Sequence, residues 1–485
     1  MDTSTLSIMI IFVFTFVPLV IAEIARKSSL PTIENFFLQD RKMPLVMVFF
    51  TVYATWVSAF AFFSSTSSFY TDGPIYMTAF AWNILFGVLF MAIGKRIWKY
   101  GRLYGYVTPS DFFNDIYQSK GLSIFVTFIM LIFTIPYLQI QLSGGAYLIE
   151  IATGGLIPWR VGGLLFYLII VIYLWSGGIR AVALTDIFYG ILIFITMLAI
   201  GFYLSSKAGG VEKIFADIME MDANKNILDS ADIFSWLSMF IIVPLGAIMG
   251  PPIWLRIYSV GNKRTFDLMP FLISFAAIMY LGSILSGNAG ALLIPSLKQT
   301  DAVLPTLLIK YGGAIITPLF FCGIASASLS TANSQIHAIA AIYTIDIHRR
   351  FINKTATEKK IVDVAKRAVV IISAIAYIFL LLNPGEFIMK TGMLAMSGTA
   401  QIAIPTLGAL IWKKSNHKAA FWGLASGLIT LTILCFITDW DISCCGVVSL
   451  LINLAIFLLI GFASKSDPRT REKIVFYQSE YRTKK

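Results

Sequence analysis

The segment ASASLSTANSQ, residues 325 to 335, is a run of small polar residues inside strongly apolar sequence. TPLFFCGI (317–324) precedes it and IHAIAAIY (336–343) follows it. Helical spacing places four of its small residues on one face, namely Ala327, Ser330, Thr331 and Ser334, with Asn333 one turn from Ser330. Such a stripe allows helices to pack closely, and its oxygens are also the ligands that a hard cation such as sodium prefers. The segment therefore indicates either a tight helix contact or a cation site inside a membrane.

The composition of the whole chain is that of a membrane protein. Of its 485 residues, 58% are hydrophobic and 13% are charged, and the mean hydropathy is +0.80. Soluble domains carry about 25% charged residues. Because continuous apolar stretches of membrane-spanning length recur along the chain, the sequence predicts an all-α polytopic membrane protein.

The hydropathy pattern predicts thirteen transmembrane helices. The first apolar stretch, 6–25, has no basic residue before it and no cleavage site after it, so we interpret it as a retained helix and not as a signal peptide. The predicted spans are 5–25, 44–70, 74–98, 122–149, 160–177, 181–204, 233–257, 267–294, 313–346, 367–383, 388–412, 418–438 and 444–463. The largest piece outside the spans is 206–232.

The net charge of +11 is distributed as a topology signal. Lys and Arg are concentrated in alternate loops, one of which we take to contain Arg256, Lys263 and Arg264, whereas the intervening loops are poor in them. Since basic loops stay in the cytoplasm, the pattern places the N-terminus outside and the C-terminus inside a cell membrane. It gives no support to a nucleic-acid partner. The four cysteines have no metal-binding spacing, and we expect them to be free.

The seventh predicted span is interrupted by PLGAIMGPP (244–252). Proline removes an amide donor and clashes with the preceding turn, so this span must bend or break. The bend is either a packing kink or a place where unpaired carbonyls face a bound ion. The second span contains many hydroxyls, but between 52 and 70 it has neither glycine nor proline, and its residues alone predict no break.

Asp186 lies well inside the sixth predicted span, in WSGGIRAVALTDIFYG (175–190). A carboxylate at that depth costs about 2.5–3.5 kcal/mol, so it needs a partner. The partner is either a cation held jointly with hydroxyls of another helix or a hydrogen-bond donor on a neighbouring helix. We expect almost no other buried charge in the spans.

Three motifs resemble the sodium:solute symporter family: GGIRAVALTD (177–186), ASASLSTANSQ and NFFLQDRKMP (35–44). Within that family the chain is most similar to the sodium/pantothenate symporters, through QLSGGAYLIEIATGG (141–155). The resemblance implies a LeuT-type core of two inverted five-helix repeats. The implied segments are an extra first helix and cytoplasmic loop (1–43), the first repeat (44–204), an extracellular loop (205–232), the second repeat (233–412), two peripheral helices (413–464) and a cytoplasmic basic tail (465–485).

The resemblance also implies two ion sites. The first would hold sodium with the backbone carbonyls of Ala54, Val57 and Ala327 and the hydroxyls of Ser330 and Thr331. The second would hold another sodium beside Asp186. Its further ligands would be Ser330, Asn333 and Ser334, where asparagine stands in place of the usual serine.

The resemblance further implies that the second and seventh spans, as the first helices of the two repeats, are both interrupted and that the solute binds between them near the midplane. The residues that we expect to line its cavity are Tyr53, Trp56, Ser58, Phe60, Gln141, Gly250 and Trp254. Trp56 stands where the proline symporters carry an aspartate, which argues against a proline-type site. GPPIWLR (250–256) also lacks the histidine that often follows the proline there.

The sequence thus predicts a sodium-coupled symporter that imports a small organic solute, pantothenate or another small organic acid, by alternating access. Sodium is the co-transported ion, and no cofactor is expected. One alternative keeps the fold and couples to protons through Asp186, and another is a substrate-sensing membrane module. An enzyme is not expected, because the chain has three histidines, His337, His348 and His417, and no nucleophile–base constellation.

Overall fold

The computed structural model describes residues 3–27, 29–226, 233–382, 388–464 and 468–483. Within these residues the chain is helical, and the one isolated bridge joins Met43 to Val260. The helices are α1 (Thr3–Arg26), α2 (Ile33–Leu38), α3 (Leu45–Trp56), α4 (Ala59–Thr71), α5 (Thr78–Leu89), α6 (Lys95–Tyr104), α7 (Pro109–Tyr117), α8 (Lys120–Ala152), α9 (Trp159–Lys207), α10 (Val211–Met221), α11 (Ile233–Met249), α12 (Pro251–Ser259), α13 (Arg264–Ala276), α14 (Tyr280–Leu293), α15 (Val303–Ile342), α16 (Glu358–Leu382), α17 (Ile388–Ala400), α18 (Ala403–Ile411), α19 (His417–Ile437), α20 (Ile442–Ala463) and α21 (Pro468–Thr483).

The described helices confirm a multi-pass membrane protein. Nine are long and apolar enough to cross a bilayer, and the number rises to eleven when each of two bent pairs counts as one span. The remaining two predicted spans correspond to α1 and to Trp159–Ile172, a shorter apolar helix at the start of α9. The count of thirteen therefore stays a prediction.

The two bent pairs are the second and seventh predicted spans. α3 and α4 meet at 51°, and α11 and α12 meet at 57°. The second bend, at Gly250 and the two prolines after it, confirms the bend predicted from PLGAIMGPP. The first bend was implied by the family resemblance and not by the residues of the span, because Val57 and Ser58 adopt extended backbone there without glycine or proline.

Tertiary hydrogen bonds hold the break between α3 and α4. The Ser58 hydroxyl accepts from the Phe60 amide at 3.2 Å and from the Tyr137 hydroxyl at 3.0 Å. The Ala59 amide donates to Oε1 of Gln141 at 3.1 Å. α8, which carries Tyr137 and Gln141, thus supplies the partners that the interrupted helix lacks.

Gly178 divides α9 into the predicted fifth and sixth spans. Its backbone, at φ 55° and ψ −149°, lies in a region open essentially to glycine. A Cβ at this position would lie 2.6 Å from the carbonyl oxygen of Phe36. The turn between the two spans therefore depends on a glycine that also lets α2 approach.

α15 is the central helix of the molecule. Every residue from 321 to 342 is buried, and the helix contacts α1, α3, α4, α8, α9, α12 and α16. Its polar stripe therefore faces protein on all sides and not lipid.

The segments outside the core contain more helix than the sequence indicated. The predicted extracellular loop 205–232 contains α10, and its residues 227–232 lie outside the described residues. The predicted basic tail 465–485 contains α21, which packs on α7 and α18. There, Lys473 forms an ion pair with Asp115 of α7.

Candidate functional site

The end of α3 and the middle of α15 form the first polar centre. The last backbone hydrogen bond of α3 runs from the Val57 amide to the Tyr53 carbonyl at 2.8 Å. Beyond it, the carbonyls of Ala54 and Thr55 accept side-chain hydroxyls from α15. Ser330 donates to Ala54 at 2.6 Å, and Thr331 lies 3.3 Å from both carbonyl oxygens.

This centre has the ligand chemistry of an alkali cation. Ser330 is also 3.3 Å from the carbonyl oxygen of Ala327, so oxygens of Ala54, Ala327, Ser330 and Thr331 converge. Val57, the fifth predicted ligand, is buried and lies directly after α3, where the backbone becomes extended. Each hydroxyl can turn its hydrogen away and present lone pairs to a cation.

A second polar cluster surrounds Asp186 on α9. The Thr51 hydroxyl donates to Oδ2 of Asp186 at 2.6 Å. Nη2 of Arg256 lies 3.8 Å from the same oxygen, and both charged side chains are fully buried. Asp186 therefore has a hydrogen-bond donor on a neighbouring helix, which is one of the two alternatives that the sequence left open. It also lies near a positively charged side chain of the protein, that of Arg256.

Arg256 corrects the expectation that it belongs to a cytoplasmic loop. α12 continues to Ser259, so the guanidinium lies inside the protein. It donates to Thr51 at 3.2 Å, to the Pro252 carbonyl at 3.1 Å and to the Ser334 hydroxyl. The expectation that the spans hold almost no other buried charge is wrong for Arg256 and also for Asp346.

The residues expected to hold a second sodium are engaged to different extents. The Ser334 hydroxyl meets both Arg256 and, at 2.7 Å, Thr55 Oγ1. The side-chain amide of Asn333 and Oδ1 of Asp186 are buried and make no hydrogen bond to the described residues. The second ion stays a prediction.

Two small cavities adjoin the break in α3. Both are lined by Trp56, Tyr137 and Met396. The indole of Trp56 stacks on Phe86 at 4.5 Å and donates to Asn83. Among the described residues that line the cavities, none is charged.

Three of the seven expected solute residues line these cavities, and two more lie next to them. Trp56, Phe60 and Gly250 are lining residues. Ser58 and Gln141 lie directly behind, since Ser58 accepts from Tyr137 and the Gln141 amide donates to the Tyr137 carbonyl.

Tyr53 and Trp254, the other two expected solute residues, also line neither cavity. The Tyr53 hydroxyl donates to the sulfur of Met279 at 2.8 Å. Trp254 packs edge-on against Phe112, with ring centroids 5.4 Å apart. Sequence reasoning missed Met396 and Tyr280, which line the cavities from α17 and α14 and have no signal beyond being apolar or aromatic.

Two broken helices that meet beside buried oxygens, within a bundle of membrane-spanning helices, define an ion-coupled secondary transporter. The model of the sodium:solute symporter family matches residues 36–427, and the chain belongs to this family. Its members transport and do not catalyse covalent chemistry, which confirms that the chain is not an enzyme.

Individual relatives cover nearly the whole chain. The chain is 27% identical to a sodium/pantothenate symporter of Haemophilus influenzae, over 87% of this chain and 88% of that one. It is 26% identical to a sodium/pantothenate symporter of Escherichia coli, over 92% and 93%. A solved structure of a Na⁺-coupled sialic acid symporter, bound to its substrate in an outward-open state, matches with a TM-score of 0.81 and 18% identity, over 96% of this chain and 99% of that one. The chain is thus a sodium-coupled transporter with a LeuT-like helical fold.

Proposed function

We propose that the chain is a symporter that imports a small organic solute, pantothenate or another small organic acid, together with sodium across the cell membrane. One observation carries the proposal: the hydroxyls of Ser330 and Thr331 converge on carbonyls of α3 where that helix opens. Trp56, which follows Thr55 in α3, lines both cavities. Ion and solute would therefore bind on either side of one short stretch of backbone.

The sodium ion would be held by the carbonyls of Ala54, Val57 and Ala327 and by the hydroxyls of Ser330 and Thr331. The described contacts of this centre involve oxygen atoms from α3 and α15. All five residues are buried, so ligation by protein would replace the hydration shell of the ion. An ion that binds the outward-open state more tightly than the inward-open one would shift the transporter toward loading from outside.

The cavity lining favours a solute with an apolar body and at most one charge. A charged group without an opposite charge is costly in a dry cavity. Since the described lining residues carry no charge, a carboxylate in the cavity would need a positive partner outside the lining, and the proposed sodium beside Trp56 would be such a partner. A monocarboxylate meets this condition, and the two sodium/pantothenate symporters among the relatives support pantothenate as the first compound to test.

During alternating access, the helix bundle formed from one repeat would rock against the bundle formed from the other, with this centre between them. The repeats are proposed at 44–204 and 233–412, with the N-terminus outside. The broken helices α3–α4 and α11–α12 would then stand at corresponding places in the two proposed repeats, and such helices form binding sites in transporters built from inverted repeats.

Uptake by the purified protein in proteoliposomes tests the proposal. Pantothenate, other monocarboxylates, dicarboxylates and neutral amino acids are compared under an inward sodium gradient and under an equal potassium gradient. We expect uptake of a monocarboxylate with sodium and negligible uptake with potassium. Equal uptake in potassium, or a preference for dicarboxylates, contradicts the proposal.

Proton coupling through Asp186 is the second candidate. It is favoured by the fully buried carboxyl whose Oδ1 has no hydrogen bond to the described residues. Uptake driven by a pH gradient in sodium-free buffer, and abolished by Asp186→Asn, would select it over sodium coupling.

A further inference from the structure

Arg256 lies entirely inside the protein, on the half-helix that begins after the second break. Its guanidinium joins three other helices, through Thr51 on α3, Asp186 on α9 and Ser334 on α15. It also donates to the Pro252 carbonyl of its own helix. These partners fix the orientation of the guanidinium, so Arg256 is a specifically bound buried charge.

The pair of Arg256 and Asp186 is electrically neutral. In a low-dielectric interior, each buried charge needs an opposite one nearby. A sodium ion bound to the same carboxylate would place two positive charges against one negative charge. That arrangement is unfavourable unless another anion enters with the ion.

The oxygens expected to ligate a second sodium are mostly in use. Ser334 accepts from Arg256 and is bonded to Thr55, and Oδ2 of Asp186 accepts from Thr51. Ser330 belongs to the first centre, where it donates to Ala54. The expected ligands without a partner are the carbonyl oxygen of Asn333 and Oδ1 of Asp186. Two oxygens are too few for a hard cation, which surrounds itself with several.

We propose that Arg256 supplies, at Asp186, the positive charge that a second sodium ion would bring, so that the chain binds one sodium ion per transport cycle. The inference rests on the proposed sodium coupling and deepens it, because it sets the number of ions. Arg256 acts here as a positioning residue: it holds Asp186 and Ser334 and is not among the described residues that line the two cavities.

The test counts sodium ions bound to the purified, full-length protein by equilibrium binding of radiolabelled sodium. In parallel, the steepness of sodium activation of uptake is measured in proteoliposomes. The variants are Arg256→Gln, which removes the charge, Arg256→Lys, which keeps it, and Arg256→Gln combined with Asp186→Asn, which removes both charges.

We expect one bound ion and a non-sigmoidal sodium dependence for the wild type and for Arg256→Lys. Arg256→Gln leaves the carboxylate and Ser334 available, so the count should rise to two and activation should become sigmoidal. The double variant should return to one ion. If the substitutions affected folding alone, the yield of every variant would fall and the number of bound sodium ions would not rise.

Two bound ions in the wild type overturn the inference, and so does a count of one in folded Arg256→Gln. If that variant cannot be obtained folded, the wild-type count decides alone. Sodium-independent uptake by the wild type is a different result, which contradicts the proposed function itself.

Discussion

Ser330 of α15 donates a hydrogen bond of 2.6 Å to the carbonyl oxygen of Ala54 of α3, across 276 residues of sequence. The bond exists because α3 ends two residues later, which frees that carbonyl from its helical partner. It places a hydroxyl where an ion ligand is needed and ties the central helix to the first break.

Replacing Ser330 or Thr331 by alanine should weaken sodium binding. Each change removes one oxygen ligand, and we expect the sodium concentration for half-maximal uptake to rise by about tenfold or more, equivalent to about 1.4 kcal/mol. Initial uptake rates over a sodium series measure the effect. Ser326→Ala is the matched control, because that buried hydroxyl donates within its own helix, to Cys322 at 2.9 Å. An equal loss in Ser326→Ala would mean that α15 tolerates no change of this kind and would remove the support for an ion site.

Trp56→Phe should weaken solute binding. The change keeps an aromatic ring against Phe86 but removes the indole hydrogen bond to Asn83 and part of the cavity wall. We expect the KM for the solute to rise several-fold, by about 1 kcal/mol, while the sodium dependence keeps its shape. Trp422→Phe, at a tryptophan of α19 that is 56% exposed, serves as the control and should leave both constants unchanged. An unaltered KM in Trp56→Phe would argue that the solute binds elsewhere.

Gly178→Ala should destabilise the protein far more than Gly313→Ala. Both glycines have positive φ, so each substitution introduces strain of about 1–3 kcal/mol. At Gly313 an added Cβ meets no atom within 4 Å, whereas at Gly178 it meets the Phe36 carbonyl at 2.6 Å. The midpoint of thermal unfolding in detergent measures the difference, and equal midpoints for the two variants would show that the contact with Phe36 contributes nothing.

The ion pair of Arg350 and Asp111 should contribute measurably to holding α7 against the π-helical segment Tyr343–Ile352, which continues from α15. Their 2.6 Å contact is half-buried, and Arg350 also donates to Ser123 at 2.7 Å. A double-mutant cycle with Arg350→Gln and Asp111→Asn, read by thermal unfolding, should give a coupling of about 0.5–3 kcal/mol. The exposed pair of Arg26 and Glu23, at 2.7 Å, is the control and should couple by about 0–1 kcal/mol. Equal coupling energies would contradict a special role for the α7 contact.

The features that the sequence predicted are those that stand out against an apolar background. Asp186 and the hydroxyls of residues 325–335 are conspicuous in membrane helices, and the structure brings them into neighbouring polar centres. The bend at Gly250 was likewise predictable, because proline and glycine act through local sterics.

Two features depended on contacts that lie far apart in the chain. The break after Trp56 is held by Tyr137 and Gln141 of another helix, and its own residues carry no helix breaker. Arg256 was assigned to a basic loop, because a count of Lys and Arg near the ends of spans contains no information about a carboxylate on a distant helix. Local pattern therefore located the helices, and tertiary pairing decided which polar groups face one another.

The paired prolines at the start of α12 have a consequence for how an acid could be captured. Pro251 and Pro252 have no amide hydrogen, and the Ile253 amide already donates to Gly250. At the other half-helix, the first amides of α4 are bound by Gln141 and Ser58. Neither helix end therefore offers a solute carboxylate the free amides that usually cradle an anion. A carboxylate entering this transporter is expected to rely on the metal ion that travels with it. Because neither half-helix offers it free amides, the fold would couple the passage of the acid to that of the ion.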